Sequence, residues 1–135
     1  MKAGDKSVVT DLLAALADDD PKVRVEAVLA LTRLGSVVTT VGLRRELTDE
    51  SWEVRQLAAQ GLGWLKNRTA VRPLMQALQD DHWEMRSKAA QSLGELGEYR
   101  ALATLLAVLK DAHWSVRISA ARAIIFITDQ IAPTD

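Results

Sequence analysis

Cysteine is absent from this 135-residue chain, and aromatic residues make up only 4% of it. Without cysteine the chain forms neither disulfides nor thiolate metal sites, and it offers no cysteine nucleophile. This absence suits a reducing compartment, so we expect a cytoplasmic protein. An excess of one charge is lacking too, because 17 basic residues balance 18 acidic ones. The chain therefore has no general electrostatic attraction to a phosphate backbone.

Long apolar runs are also missing. A membrane-spanning helix needs about 20 consecutive apolar residues, and every apolar run in this sequence is far shorter. Residues 1–10 contain no long apolar stretch, which does not fit a secretory signal. With 48% hydrophobic and 26% charged residues, the composition is typical of a globular protein. We expect a single domain over residues 1–135 with no membrane contact.

The most informative feature of the sequence is an internal repeat with a period of 31 residues. A valine or methionine followed by arginine recurs at this spacing, from Val23-Arg24 to Val116-Arg117. Aspartate, leucine and alanine columns recur in the same register, without an insertion. The aspartate and arginine columns are Asp18, Arg24, Asp49, Arg55, Asp80, Arg86, Asp111 and Arg117. Identical columns at four places indicate four tandem copies of one structural unit.

One unit, best seen from Thr69 to Gly97, contains two amphipathic stretches separated by an acidic turn. Apolar residues recur at helical spacing in both stretches, and Pro73 lies in the first turn of the first one, where its missing N–H costs nothing. Gly97 follows the last apolar residue of the second stretch, as is typical of a helix C-terminus. Each unit is therefore predicted to be an αα-hairpin. Because one hairpin cannot bury its own apolar faces, successive hairpins are expected to stack into an all-α solenoid.

One pattern recurs in all four copies, first from Asp18 to Leu31 and last from Asp111 to Ile124. It has aspartate, then proline or tryptophan, valine or methionine, arginine, alanine, and finally leucine or isoleucine, at fixed spacing. This pattern resembles the HEAT-like repeats of the phycobilisome-lyase type over residues 4–128. The resemblance implies a right-handed α-solenoid of four 31-residue helical hairpins, in which the second helices line a concave partner-binding face. The repeats that we expect cover residues 4–34, 35–65, 66–96 and 97–128, followed by a short tail at 129–135.

The aspartate and arginine columns are predicted to hold neighbouring hairpins together. On a helical wheel Arg55 falls on the apolar side of its helix, close to Val54 and Ala58. A guanidinium in that position needs its donors satisfied, and the acidic turn of the same or the next unit supplies carboxylates and carbonyls. We interpret the two columns as a structural ladder rather than as a catalytic array.

The two histidines, His82 and His113, occupy equivalent turn positions and raise the question of a metal site. Hydroxylase members of the family that the repeats resemble use adjacent His-Glu pairs as iron ligands. Here Trp83 and Trp114 follow the histidines, and no His-Glu pair occurs. We interpret both histidines as helix-start residues. With no glycine-rich phosphate loop and no nucleophile beside a base, we predict no metal, no cofactor and no catalytic residue.

Tryptophan residues are the strongest candidates for partner binding. One tryptophan column begins the second helix of its units, and Trp64 shares a second column with Phe126. Both columns point away from the predicted core, and tryptophan is enriched at binding hot spots. For the first column, packing over the turn of the next unit is an alternative role. The predicted partner-binding set is Trp52, Gln56, Gln60, Trp64, Trp83, Ser87, Lys88, Gln91, Trp114, Arg122 and Phe126.

These features predict a non-catalytic scaffold or adaptor that binds a protein or peptide through its concave face. The resemblance leaves open an alternative role as a subunit or relative of a chromophore lyase or of another modifying enzyme. A second alternative is nucleic-acid binding in a HEAT-like groove, against which the charge balance argues. The arginines available for it are Arg44, Arg45, Arg68, Arg72 and Arg100.

The last predicted helix is unusually apolar for the end of a repeat array. Terminal repeats usually present a polar outer face, yet isoleucine and phenylalanine fill residues 124–127, and Ile131 follows. Ile125 stands where the two preceding units have Gly63 and Gly94. We therefore predict a homodimer that forms through the C-terminal helix.

Overall fold

A computed structural model of the chain describes residues 3–131. Every regular element within that range is helical. The α-helices are α1 (Ala3–Ala15), α2 (Pro21–Leu34), α3 (Val37–Arg45), α4 (Trp52–Trp64), α5 (Val71–Ala77), α6 (Trp83–Leu96), α7 (Leu102–Val108) and α8 (Trp114–Ile131). Short 3₁₀ turns follow α3 at Glu46–Thr48 and precede α5 and α7 at Arg68–Ala70 and Tyr99–Ala101.

Successive helices pack as antiparallel pairs, α1 with α2, α3 with α4, α5 with α6, and α7 with α8. The second helices of neighbouring pairs also pack on one another, so that α2, α4, α6 and α8 form a continuous row. The first helices α5 and α7 make little contact with each other. The result is a solenoid-like stack of helix pairs whose closest contacts lie along the row of second helices.

The repeated apolar columns form the core of this stack. Leu43, Leu74 and Leu105 of the first helices are fully buried, as are Val54 and Met85 of the second helices. Burying one such side chain contributes about 1.5–3 kcal/mol. Since each column is buried between two helix pairs, the same residue type is required in each of them.

Two glycines allow the second helices to cross closely. A Cβ atom on Gly63 of α4 would lie 2.9 Å from Cβ of Ser92 on α6, and one on Gly94 would lie 2.8 Å from Cα of Ala123 on α8. No ordinary side chain fits in either space. The crossing at Gly63 is also joined by a hydrogen bond that Ser92 Oγ donates to the carbonyl oxygen of Ala59 over 2.7 Å.

Residues in the left-handed conformation mark where three of the second helices end. Gly35 after α2 and Gly97 after α6 adopt the left-handed conformation, with φ of 62° and 65°. Lys66 takes the same conformation after α4, with φ of 55°, at a cost of about 1–2 kcal/mol for a residue with a side chain. Its Nζ donates a hydrogen bond to the carbonyl oxygen of Glu95, which ties the strained turn to the next helix pair.

The structure differs from the sequence-based boundaries at one end. Helix α8 continues to Ile131, so the first residues of the tail expected at 129–135 are helical. An uninterrupted run from Ala120 to Ile131 without glycine or proline supplies the physical reason. Residues 132–135 of the expected tail lie outside the described range. None of the described helices combines the length and apolarity that crossing a bilayer requires.

Candidate functional site

The arginine and aspartate columns form bidentate pairs between neighbouring helix pairs. Arg55 Nε lies 2.7 Å from Asp80 Oδ2, and Nη2 of the same guanidinium lies 3.0 Å from Oδ1. Arg24 makes the same two bonds to Asp49 at 2.9 and 3.1 Å, and Arg86 makes them to Asp111 at 2.7 and 3.0 Å. Two parallel charge-assisted bonds fix both the distance and the orientation of the joined turns.

Each of these arginines also binds the turn of its own helix pair. Nη1 of Arg55 donates to the carbonyl oxygen of Asp49 over 2.7 Å, and Nη1 of Arg86 donates to that of Asp80 over 2.9 Å. One guanidinium therefore closes its own turn and captures the carboxylate of the next one. The sequence left open which of the two turns the arginine would bind, and it binds both.

The aspartate of each pair is held by its backbone as well. Asp111 accepts a hydrogen bond from the backbone N–H of His113 over 2.9 Å in addition to the two from Arg86. These bonds, that from Arg86 above all, hold the pKa of Asp111 below its ordinary value. Burial acts in the opposite direction on Asp49, but hydrogen bonds from Arg24 and Ser51 outweigh it and lower the pKa of Asp49. The Asp49 and Asp111 carboxylates are therefore ionised at neutral pH and occupied by structural bonds.

Glu46 is an acidic residue that lies beside the first of these pairs. Burial, followed by hydrogen bonding with Asp49, raises the pKa of Glu46 to about 7. The equivalent positions in the other repeats hold Ala15, Ala77 and Val108. Glu46 is thus a titratable group at a position that is otherwise apolar.

The first tryptophan column stacks on the histidines of the next helix pair. The Trp52 ring lies 5.4 Å from His82, and the Trp83 ring lies 4.0 Å from His113 with only 6° between the two planes. This arrangement matches the packing role that the sequence offered as an alternative for the column. Trp114 follows the last histidine and stays 62% exposed.

The outward side chains of the second helices differ in their solvent exposure and in their hydrogen bonds to other residues. Gln91, Arg122 and Phe126 are exposed. Ser87 instead shares a 2.6 Å hydrogen bond with Ser119 across the α6–α8 crossing, and Lys88 Nζ donates to Gln91 Oε1 over 3.1 Å. Gln56 and Gln60 are half-buried.

A cavity of about 280 Å³ lies between α6 and α8 on this side of the molecule. Three predicted residues, Gln91, Arg122 and Phe126, line it together. Gly94 and the acidic residue Glu95 are among its other lining residues. An aromatic ring, a guanidinium, an amide and a carboxylate around one depression provide both apolar area and directional hydrogen bonding.

Trp64 belongs to a different depression. It lines a shallow recess between α2 and α4 together with Gln60, Leu57 and Leu29. The indole is 61% exposed. Five residues of the predicted partner-binding set therefore line two separate depressions, the α6–α8 cavity around Arg122 and the α2–α4 recess around Trp64.

Comparison with known proteins identifies the family. A sequence model of HEAT repeats matches residues 40–125 of the chain. The chain belongs to the HEAT repeat family. No curated protein sequence matches it.

Three solved structures show how the HEAT fold of this chain compares. Human deoxyhypusine hydroxylase is similar with a TM-score of 0.79 and 29% identity over 90% of this chain, which spans only 43% of the hydroxylase chain. The complex of CpcE and CpcF of phycocyanin lyase from Nostoc sp. PCC7120 is similar with a TM-score of 0.73 and 25% identity, covering 94% of this chain and 81% of the matched one. An engineered protein at 20% identity and a TM-score of 0.70, covering 89% of this chain and 62% of its own, shares the fold.

The basic residues of this HEAT protein that were considered for nucleic-acid binding are partly neutralised. Arg68 and Arg100 both contact the buried Glu98 carboxylate, at 3.3 and 3.1 Å. The hydrogen bond from Arg100 lowers the pKa of Glu98, so this carboxylate stays ionised. Two of the five candidate arginines therefore carry a local counter-charge.

His82 and His113 directly precede α6 and α8, at the helix-start positions that the sequence predicted. Within residues 3–131, no group of three or more histidine, aspartate or glutamate side chains is placed to hold a metal ion. The role of both rings as stacking partners for Trp52 and Trp83 was not predicted. Periodicity alone does not say which rings of neighbouring HEAT units face each other.

An apolar groove on the first helices was also missed. It runs between α1 and α3, has a volume of about 430 Å³, and is lined by Leu13, Val37, Val38 and Val41 among others. Val37 is 82% exposed. The signal was present in the sequence, because two adjacent valines at a helix start cannot both face the core.

Proposed function

We propose that this chain is a non-catalytic HEAT-repeat scaffold of four right-handed 31-residue hairpins, with repeats at residues 4–34, 35–65, 66–96 and 97–128. The second helices pack closely along the stack while the first helices α5 and α7 diverge, which supports placing the second helices on the inner side of the curve. This inner side is the concave face on which we propose that a protein or peptide binds.

The cavity between α6 and α8 is the observation that carries this proposal. It brings an exposed aromatic ring, Phe126, beside the guanidinium of Arg122, and aromatic and arginine side chains dominate binding hot spots. No ion pair within 4.0 Å engages Arg122 among the described residues. An extended peptide with an apolar side chain for Phe126 and an acceptor for Arg122 suits this arrangement.

The proposal is tested by selecting peptides on the protein and locating where they bind. Peptides from a random library are expected to shift the backbone NMR signals of Gln91, Arg122 and Phe126. Replacing Phe126 or Arg122 by alanine is expected to weaken the binding about tenfold or more. Arg72→Ala, on first helix α5, is the matched control and is expected to leave the binding unchanged. Peptides whose shifts cluster on the α1–α3 groove, or that bind Phe126→Ala equally well, would contradict the proposal.

A second candidate is a subunit of a protein-modifying enzyme. The likeness to the CpcE and CpcF complex of phycocyanin lyase, at 25% identity over 94% of this chain, favours it. On that proposal the same inner face binds the protein to be modified, and a partner subunit contributes the chemistry. Co-purification of a HEAT-repeat partner together with a bound chromophore would favour this candidate over a simple scaffold.

A further inference from the structure

The C-terminal end of the stack keeps the binding elements that earlier helix pairs use to hold their successor. Arg117 donates from Nη1 to the carbonyl oxygens of Asp111 and Ala112, at 2.7 and 3.1 Å, in the manner of the three earlier arginines. Its Nε and Nη2, which in those arginines bind the aspartate 25 residues further on, have no carboxylate among the described residues. Arg117 is thus an exposed ladder arginine without its pair.

Apolar positions at the same end are uncovered in parallel. Leu109 is 37% exposed, whereas its equivalents Leu16, Leu47 and Leu78 are at most 8% exposed because the following helix pair covers them. Ile118 at the start of α8 is exposed as well, next to Arg117. The end of the stack therefore presents the apolar surface of an internal interface.

The N-terminal end has the complementary half of this interface. Val23 is 39% exposed while its equivalents Val54 and Met85 are fully buried under the preceding helix pair. Leu34 is 44% exposed while its equivalent Leu96 is buried. Terminal repeats with polar outer faces are the usual means of keeping such arrays monomeric, whereas each end of the described stack exposes apolar side chains that are buried inside it.

Charge complementarity joins the two ends. Asp18 is the first member of the aspartate column, and its carboxylate accepts a hydrogen bond from the backbone N–H of Asp20 over 2.9 Å, as the other aspartates do two residues on. No arginine among the described residues binds this carboxylate. Because the repeat period is constant, Asp18 of a second copy stacked on α8 takes the place that Asp111 has for Arg86.

We propose that copies of this chain associate head to tail, with the N-terminal helix pair of one copy stacked on α7 and α8 of another and Arg117 bound to Asp18. A heterologous contact of this kind leaves both outer ends free, so it propagates into open chains rather than stopping at a dimer. This refines the homodimer predicted from the apolar last helix.

One residue limits how tightly this contact forms. Every crossing of second helices in the stack includes a glycine, in the pairs Thr32–Gly61, Gly63–Ser92 and Gly94–Ala123. In the contact between copies the corresponding pair is Ile125 with Ala30, which keeps the two helices apart. We therefore infer that Ile125 weakens the association. Ile125→Gly recreates the Gly94–Ala123 crossing and is expected to strengthen the association about tenfold or more.

The proposal is tested by sedimentation velocity and light scattering over a concentration series of the wild-type chain and its variants. We expect the average mass to rise beyond that of a dimer, and the association to be weakest for the wild type, stronger for Ile125→Ala and strongest for Ile125→Gly. The alanine variant preserves helix propensity, so it decides the result even where Ile125→Gly lowers the folding stability. Circular dichroism melting verifies that each variant is folded.

The ion pair has its own matched control. Asp18→Asn keeps the acceptor for the backbone N–H of Asp20 but removes the charge, and it is expected to weaken the association about tenfold. Asp19→Asn removes the same charge at the position equivalent to Glu50, whose 91% exposed carboxylate reaches the ladder arginine only at 4.0 Å, and is expected to have a much smaller effect. A strict monomer in both wild type and Ile125→Gly would overturn the proposal. So would a closed dimer that Ile125→Gly weakens and Asp18→Asn leaves unchanged, because that is the behaviour of a symmetric apolar contact.

Discussion

At the scale of single residues, a charged arginine on the apolar side of a helix is compatible with folding only where carboxylates and carbonyls satisfy its donors. The ladder arginines meet this condition with three donors that bind two turns at once, as at Arg55. Their position was predictable from the sequence because the column is identical in all four repeats. The division of donors between the two turns was not, because it depends on the offset between stacked pairs.

Glu46 shows a titration that no repeated column shares. Its pKa is raised to about 7 in the folded protein, above the value of about 4.3 in an unfolded chain. A raised pKa means that the folded state binds the proton more tightly. The resulting stability is fully present below about pH 4.3 and is lost as the pH rises through 7.

Glu46→Gln is therefore expected to leave the free energy of unfolding nearly unchanged at about pH 4, below the unfolded-state pKa, and to raise it at about pH 8.5. The gain is expected to stay below about 1 kcal/mol, because the side chain is partly exposed and screened by solvent. Urea unfolding of the wild type and the variant at both pH values measures the difference. Glu50→Gln, which removes an exposed charge from the same turn, is the control. A gain that is equal at both pH values would show that Glu46 does not titrate in this range.

At the scale of helices, the sequence predicted the eight helical stretches through their apolar periodicity but not all of their lengths. Helix α5 has only seven residues and begins from a 3₁₀ turn at Arg68–Ala70. An apolar spacing of three residues occurs in both α-helices and 3₁₀-helices. The pattern of Val71 and Leu74 therefore does not show where the 3₁₀ turn ends and α5 begins. The C-terminal end of α8 was predicted too early, because no glycine follows its last apolar residue to mark where the helix ends.

The crossing of α6 over α8 depends on Gly94 having no side chain. Gly94→Ala is expected to lower the stability by about 1–3 kcal/mol, because the new Cβ would lie 2.8 Å from Cα of Ala123. Helix propensity alone would predict the opposite sign, a gain of about 1 kcal/mol. Thermal and urea unfolding measure which effect dominates.

A reciprocal variant separates the crossing from helix propensity. Gly94→Ala combined with Ala123→Gly moves the glycine to the opposite helix, in the arrangement that Thr32 and Gly61 already use. This double variant is expected to recover part of the lost stability, although Ala123→Gly by itself lowers helix propensity. Purely additive losses in the double variant would show that close packing at this crossing is not the cause.

At the scale of the whole molecule, the candidate site was harder to predict than the fold. The sequence singled out Gln91, Arg122 and Phe126 as outward residues, and they line one cavity. It also grouped Trp64 with them in one partner-binding set, and Trp64 lines a separate recess. Periodicity assigns a residue to a face of its helix. Which residues of neighbouring helices lie together depends on the distance at which the helices cross. Glycines such as Gly94 set that distance.

In a linear stack each helix pair contacts only its neighbours, so stability is a sum of units and interfaces. The same substitution should then have different effects at different places along the stack. Arg55→Gln breaks the pair with Asp80 between the second and third helix pairs and leaves a carboxylate that is only 12% exposed without its cation. Breaking a pair of this kind costs about 3 kcal/mol or more.

Arg117→Gln makes the same chemical change at the end of the stack, where no described carboxylate depends on the arginine. It is expected to cost less than about 1 kcal/mol at low protein concentration, through its bonds to the Asp111 and Ala112 carbonyls. Urea unfolding of both variants measures the costs, and its slope measures how much of the chain unfolds together. We expect a smaller slope for Arg55→Gln, because weakening a central interface lets the two halves of the stack unfold separately, and an unchanged slope for Arg117→Gln. Equal costs and equal slopes would mean that the ladder does not couple the helix pairs.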